Sequence, residues 1–280
     1  MSQQIPVQRI SALIGMAGLL LVLLLIPAAV SAEEKSISIS GSTTVLPIAS
    51  AVAEAYMAKH SDVDVKVSGG GSGAGISAIG KSTVDIGMSS RDLNTDEKAA
   101  YSKLVVTPIA KDGVTIIVNS ANPVESLTID QIKDIYTGTT KSWKDVGGDQ
   151  EAFEIVGRDS ASGTREFFAS EVMKKTDFTP FMLEKNSNGA VQQLVYQTPN
   201  AIGYVGMGFG DGVKVLSLNV NGKMFKPTAA SIKSKEYPLS RDLYFLTNGE
   251  PSGAEKDFID FLLSADGQKI VEANGFVSVN

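Results

Sequence analysis

Phe153-Glu154-Ile155-Val156-Gly157-Arg158-Asp159-Ser160-Ala161-Ser162-Gly163-Thr164 joins an apolar run to an arginine and then to a small hydroxyl-rich cluster. Phe153 to Val156 reads as a short strand. Phe167, Phe168, Val172 and Met173 then recur at helical spacing. A strand therefore ends, Ser162-Gly163-Thr164 follows, and a helix begins. Working outward, the same construction occurs twice more. Ile37 and Ile39 lead to Ser42-Thr43-Thr44 and then to a helical run from Val45 to Met57. Val63, Val65 and Val67 lead to Ser72-Gly73-Ala74-Gly75 and then to a short helix beginning at Ile76. Alternating strands and helices are the pattern of an α/β architecture.

The repeated corner has a chemical meaning. The first turn of a helix carries free N–H groups and a partial positive charge. Glycine admits an anion close to the backbone, and hydroxyls add donors. Each corner alone reads more readily as ordinary N-capping; three together read as an oxyanion site beyond the carboxyl ends of the strands. Arg158 can add a bidentate contact to a phosphate-like group. Its alternative is a surface ion pair with Asp159 or Glu154.

The remaining chain continues the alternation. Val84 and Ile86 begin a third strand ending at Ser89-Ser90, and Asn94 with Glu97 caps a helix. Leu104–Ile109 and Val114–Val118 are apolar runs interrupted by Ala110-Lys111-Asp112-Gly113, read as a first crossing between two lobes. Thr128 and Gln131 form a capping box for a helix ending at Gly138. Ala190–Tyr196 is helical, and Ala201–Val205 and Val213–Leu218 are strands. Leu243–Leu246 is the return crossing. Ser252 with Glu255 caps a late helix, and Gly275 ends the last one. Gly75 to Ser82 matches a nucleotide-binding P-loop letter for letter, but its interior is apolar and helical and a strand follows Lys81, so the match is coincidental.

Composition bounds the function. The chain has 280 residues, 43% hydrophobic and 20% charged, an ordinary globular balance. Residues 1–32 hold one charged side chain, Arg9, an apolar run from Ala12 to Ile26, and Val30-Ser31-Ala32. That pattern reads as a secretory signal peptide, with an N-terminal anchor as the alternative. Absence of cysteine excludes disulfides and a lipidated cysteine. A single histidine, His60, at a polar helix end, leaves no zinc set and no Ser/His/Asp or Cys/His pair. Neither metal, cofactor nor catalytic residues are expected. Net charge is −6, and −7 without Arg9, which disfavours nucleic acid but not a small anion.

The segments Gly41-Ser42-Thr43-Thr44, Gly69 to Gly75, Asp85 to Arg91, Ile135 to Gly138 with Trp143 and Gly147-Gly148, and Gly157 to Glu166 resemble the substrate-binding protein of the bacterial and archaeal phosphate ABC transporter. The likeness runs from about Ile37 to the C-terminus. It implies a type II periplasmic-binding-protein fold: two α/β lobes, residues 36–111 with 241–280 and residues 112–240, joined by two crossing strands around a ligand cleft. It implies that Ser42, Thr43, Thr44, Ser72, Gly73, Ser90, Arg158, Ser162, Gly163 and Thr164 face the anion. The family commonly places an aspartate after the third strand to accept the proton of HPO₄²⁻. Ser90 stands there in this chain, so Asp112 is the replacement candidate, or else a polar turn residue before Gly113. Without an acceptor, a dehydrated site penalises protonated phosphate.

The expected function is capture of inorganic phosphate outside the cytoplasm, in the periplasm or at the cell surface, by a monomer whose lobes close and then dock on a membrane permease. Micromolar or tighter binding, about −8 kcal/mol or stronger, is within reach of such donors. The alternatives are a sulfate or molybdate receptor on the same fold, a secreted phosphate-ester hydrolase, and a surface adhesion protein that keeps the fold.

Overall fold

Ile37 and Ile39 point to one side of β1 (Lys35–Gly41) and are buried there. Ile48, Ala49, Val52, Ala53 and Tyr56 form the matching apolar stripe of α1 (Leu46–Met57). The computed structural model describes residues 35–149 and 151–280, all within one unit, Glu33–Asn280. The expected export segment lies outside the described residues. Among these residues no helix is long and apolar enough to cross a membrane.

After α1 come β2 (Val63–Ser68), α2 (Ser72–Gly80), β3 (Ile86–Ser89), α3 (Thr95–Ala100) and the long β4 (Leu104–Val118). Then follow β5 (Ser126–Thr128), α4 (Ile129–Thr137), β6 (Glu154–Arg158), α5 (Gly163–Glu171), β7 (Leu183–Lys185), α6 (Asn188–Gln197) and β8 (Ala201–Gly206). The chain ends with β9 (Lys214–Val215), β10 (Ser217–Val220), β11 (Lys223–Phe225), α7 (Ala229–Lys233), β12 (Ser240–Asn248), α8 (Gly253–Leu263) and α9 (Ala265–Ala273). Among the described residues the main sheet has the order β2-β1-β3-β12-β4-β8-β6-β7, with β9 beside β4. A second sheet has the order β11-β10-β5.

The pairing of β4 with β12 is the centre of the molecule. Leu104 to Gly113 run antiparallel to Asn248 to Ser240, and Val114 to Val118 then pair with Gly206 to Ile202 of β8. On one flank β1 pairs parallel with β2 and β3; on the other β6 pairs parallel with β7 and β8. The apolar core follows the same division. One cluster gathers Ile39, Val52, Ile109, Phe245 and Phe258, and another gathers Val114, Tyr136, Phe168, Tyr204 and Leu239.

Several local readings need correction. Ala110 to Gly113 does not break the strand, because the ladder to β12 satisfies its backbone groups. Val213–Leu218 is two strands, β9 beside β4 and β10 beside β5, parted at Leu216, whose N–H bonds Ile116 instead. α2 starts at Ser72, not Ile76: Gly71, at φ +94°, sharpens the entry, where a side chain would strike the Ala161 carbonyl. Ser252 occupies the position before α8 but makes no capping bond. The capping boxes at Asn94/Glu97 and Thr128/Gln131 are both formed. Gly75 to Gly80 lies inside one helix with Lys81 at its end, so no phosphate-cradling loop exists there. His60 stacks on Tyr56 at 4.2 Å, past the end of α1.

Candidate functional site

The three corners meet. Ser42, Thr44, Ser72, Ser90, Ser162 and Thr164 are each no more than 2% exposed, and Thr43 is 7% exposed, so a set of hydroxyls far apart in sequence is withdrawn from solvent together. Their positions follow from the strands that end beside them. Ser42 bonds the Met88 carbonyl of β3 through its N–H, and its Oγ accepts the N–H of Thr44 and of Val45 ahead of α1. Ser162 caps α5 by accepting the Arg165 N–H at 3.2 Å. Gly73 donates its N–H to Ala161 at 3.1 Å, joining the α2 corner to the α5 corner through the main chain. Gly163 permits a further close approach: a Cβ there would fall on Ser72 Oγ and lie 3.0 Å from Ser90 Oγ.

Arg158 ends β6 and is 1% exposed. No surface ion pair with Asp159 or Glu154 holds it. Its Nε donates to Lys185 O at 3.2 Å, and Nη2 to Asn186 O at 3.2 Å and Thr43 Oγ1 at 3.1 Å. Burial pulls the guanidinium down from the ordinary arginine value to about 10. An aromatic stack fixes the strand end: Tyr204 lies 4.1 Å from Phe168, accepts the Arg158 N–H at 3.2 Å, and sits beside Tyr136, which donates to Val156 O at 3.0 Å.

Sequence reasoning missed two members of the cluster. Asn188 opens α6, a fourth strand-to-helix corner, and is fully buried. Its amide donates to Thr43 Oγ1 at 3.1 Å and Thr44 Oγ1 at 2.9 Å, while Oδ1 accepts the Gly206 N–H at 3.2 Å. Arg241, on β12, donates through Nη2 to Thr164 Oγ1 at 3.1 Å and to Thr44 Oγ1 at 3.4 Å. Asp112 lies directly opposite Arg241 in the ladder, as Lys111 lies opposite Asp242. That register was the available signal: two charged dipeptides on antiparallel crossing strands put one opposite-charge pair on each face. Lys111–Asp242 is the partly exposed pair and Asp112–Arg241 the buried one.

Asp112, the candidate acceptor for a ligand's proton, therefore already has partners. Its Oδ2 accepts Arg241 Nη2 at 2.6 Å and Nε at 2.8 Å, and Oδ1 accepts the Met207 N–H at 2.9 Å. Burial pushes the Asp112 carboxyl up and the Arg241 guanidinium down, and each charge pulls the other back.

Counting lone pairs constrains the protons. A hydroxyl oxygen has two lone pairs and one hydrogen. Thr43 Oγ1 accepts from Arg158 and from Asn188, so its own hydrogen must point away from both. Thr44 Oγ1 accepts from Asn188, and its contact with Thr164 Oγ1 at 3.1 Å can run in either direction. Arg241 Nη2 has two hydrogens, of which Asp112 Oδ2 takes one and Thr164 Oγ1, at 3.1 Å, the other. Two guanidinia and a buried amide thus crowd the lone pairs of these hydroxyls and leave the cluster rich in donors. Among the described residues no cluster of metal-ligating side chains occurs.

Strand-to-helix corners converging on one buried, donor-rich cluster, in a sheet bridged by two crossing strands, define a solute-binding protein of the periplasmic-binding class built for an oxyanion. Residues 27–266 match the PBP superfamily domain. The phosphate-binding protein PstS of Bacillus subtilis is 35% identical over 253 residues, covering 88% of this chain and 83% of that protein. The chain belongs to this phosphate-binding protein family. Two solved structures agree in fold. A substrate-binding protein of Clostridium perfringens crystallised with bound phosphate has a TM-score of 0.83 and 37% identity, over 88% of this chain and 100% of the other. An ABC-type phosphate transport receptor from Vibrio cholerae has a TM-score of 0.70 and 36% identity, over 86% and 99%. Membership in a family of substrate-binding proteins sets aside the ester-hydrolase reading.

Proposed function

We propose that this chain captures inorganic phosphate outside the cytoplasm, as a monomer, and delivers it to the permease of an ABC importer. The observation that carries the reading is the buried donor cluster, in which Arg158, Arg241 and the Asn188 amide donate to the hydroxyls of Thr43, Thr44 and Thr164. Ser42, Ser72, Gly73, Ser90, Ser162 and Gly163 complete the proposed site through hydroxyls and helix-terminal N–H groups. We further propose that residues 36–111 with 241–280 form one lobe and 112–240 the other, closing by bending at β4 and β12. The partition of the apolar core between those segments supports this division. The Gly73 to Ala161 bond would belong to the closed state. Export to the periplasm or cell surface would follow from residues 1–32.

Sulfate is the second reading, because the one carboxylate in the cluster is already engaged by Arg241 and Met207. Titration calorimetry with phosphate, sulfate and molybdate at several pH values separates them. Micromolar or tighter phosphate binding supports the proposal; tight sulfate binding with no phosphate heat overturns it.

A further inference from the structure

We infer that Arg241 is a second anion-binding guanidinium, and that Asp112 is the positioning residue that holds it rather than the acceptor of the ligand's proton. The inference rests on the oxyanion reading above and goes beyond it in assigning the anion a contact from a crossing strand.

Three observations support it. First, Arg241 is buried to a side-chain exposure of 3%, yet its Nη1 has no hydrogen-bond partner. A buried, charged donor left unpaired is costly, and an anion beside it removes that cost. Second, its other nitrogen, Nη2, reaches Thr164 and Thr44, the hydroxyls at the openings of α5 and α1. Arg241 therefore stands beside Thr44 and Thr164, while Arg158 donates to the adjacent Thr43, and the Asn188 amide bonds both Thr43 and Thr44. Third, the guanidinium cannot swing freely. Asp112 takes both Nε and Nη2 on one oxygen, and Phe167 lies with its ring centroid 5.5 Å from Cζ.

This geometry fits Asp112 poorly to a direct ligand contact. Oδ2 already accepts two N–H groups from Arg241, and Oδ1 accepts one from the backbone of Met207. Asp112 and Arg241 are also cross-strand partners on β4 and β12, so their separation is set by the ladder. Asp112 offsets the charge of Arg241, so the pair brings directed donors to the cluster and little net charge. That suits an anion of any protonation state and does not select for a protonated one.

The test is calorimetry with phosphate and sulfate on the full chain and on Arg241→Gln, Arg241→Lys and Asp112→Asn. Arg241→Gln should weaken both anions about 100-fold, with Arg241→Lys recovering part of the loss because the charge is kept. Asp112→Asn should weaken phosphate and sulfate by the same factor, about 10-fold, leaving their ratio unchanged. Should Asp112→Asn fail to fold, the double variant Asp112→Asn/Arg241→Gln removes the unpaired charge. It should fold, by circular dichroism, and bind no more tightly than Arg241→Gln alone. Arg241→Gln binding within threefold of the wild type would make Arg241 a structural strut and overturn the inference. Selective loss of phosphate in Asp112→Asn would overturn it from the other side. Wild-type binding of sulfate alone would defeat the phosphate reading and leave this inference standing; no binding of either anion would end both.

Discussion

Replacing Arg158 with methionine isolates what a buried guanidinium contributes to an anion site. Burial lowers its pKa from the ordinary arginine value to about 10, which at about 1.4 kcal/mol per pH unit is roughly 3 kcal/mol of penalty carried by the charge. Against that stand three hydrogen bonds from the charged guanidinium, to Lys185 O, Asn186 O and Thr43 Oγ1, at about 1.5 kcal/mol each. The two sides largely cancel, so Arg158→Met should shift the ligand-free melting temperature by no more than about 4 °C. Binding has no such cancellation. One or two charge-assisted contacts to the anion are lost, about 3–4 kcal/mol in all, so Kd should rise about 10²- to 10³-fold. Phosphate at a thousand times its wild-type Kd stabilises the wild type by about 4 kcal/mol, and in the variant it should give no more than about 1.4 kcal/mol. Differential scanning fluorimetry with and without phosphate reads both effects at once. A Kd within fivefold of the wild type, or a ligand-free melting point lowered by more than about 10 °C, would refute the reasoning.

Gly163→Ala should weaken phosphate binding by at least about tenfold without changing secondary structure, since its Cβ would push apart Ser72 and Ser90; calorimetry and circular dichroism check this together. Ser90→Asp places a carboxylate beside Ser72 Oγ, which could receive a ligand's proton but repels an unprotonated anion. The phosphate-to-sulfate affinity ratio should rise by about two orders of magnitude, and an unchanged ratio would remove Ser90 from the site. Glu97 bears on acid stability: burial raises its pKa, but Arg91 and the Asn94 N–H more than offset this and hold it below 4.5. A depressed carboxyl stabilises the fold above its unfolded pKa and loses that contribution as pH falls below it. Arg91→Gln should therefore unfold at a higher pH than the wild type in an acid titration followed by circular dichroism.

How much of this was legible follows from the range of the interactions. Ser42-Thr43-Thr44, Ser72 and Ser162-Gly163-Thr164 could be found because strand ends and helix starts are set locally by apolar periodicity and caps. Arg158 was legible because it precedes its corner by only four residues. Arg241 was not, because Asp242 beside it suggests a solvated charge pair. Neighbours on a strand face opposite ways, and only the register of β12 against β4 shows that Arg241 belongs with Asp112. Asn188 was hidden for a related reason: Ser187 supplies the visible cap of α6, and Asn188 acts through tertiary contacts to Thr43 and Thr44. Ala110 to Gly113 looked like a break because local propensity disfavours a strand there, whereas cross-strand pairing overrides it.

The distribution of acceptors, more than that of donors, sets what the cluster can discriminate. Thr43 Oγ1 has both lone pairs taken, by Arg158 and Asn188, and Thr44 and Thr164 each give one to an amide or a guanidinium. Ser72 and Ser90 differ. Ser72 Oγ accepts the Ser90 N–H at 3.0 Å, and the two hydroxyl oxygens lie 3.2 Å apart with either able to donate to the other. If Ser90 donates to Ser72, a lone pair of Ser90 is free for a ligand's P–OH. If Ser72 donates to Ser90, the Ser90 hydrogen is free for an unprotonated oxygen. Reversing a hydroxyl pair costs far less than burying an unpaired group, which is about 1–3 kcal/mol. Such a pair tolerates both protonation states, where a fixed carboxylate would demand one. Selectivity among tetrahedral oxyanions then falls to the two guanidinia and the closeness of the corners, which measure charge and size and not the presence of a proton.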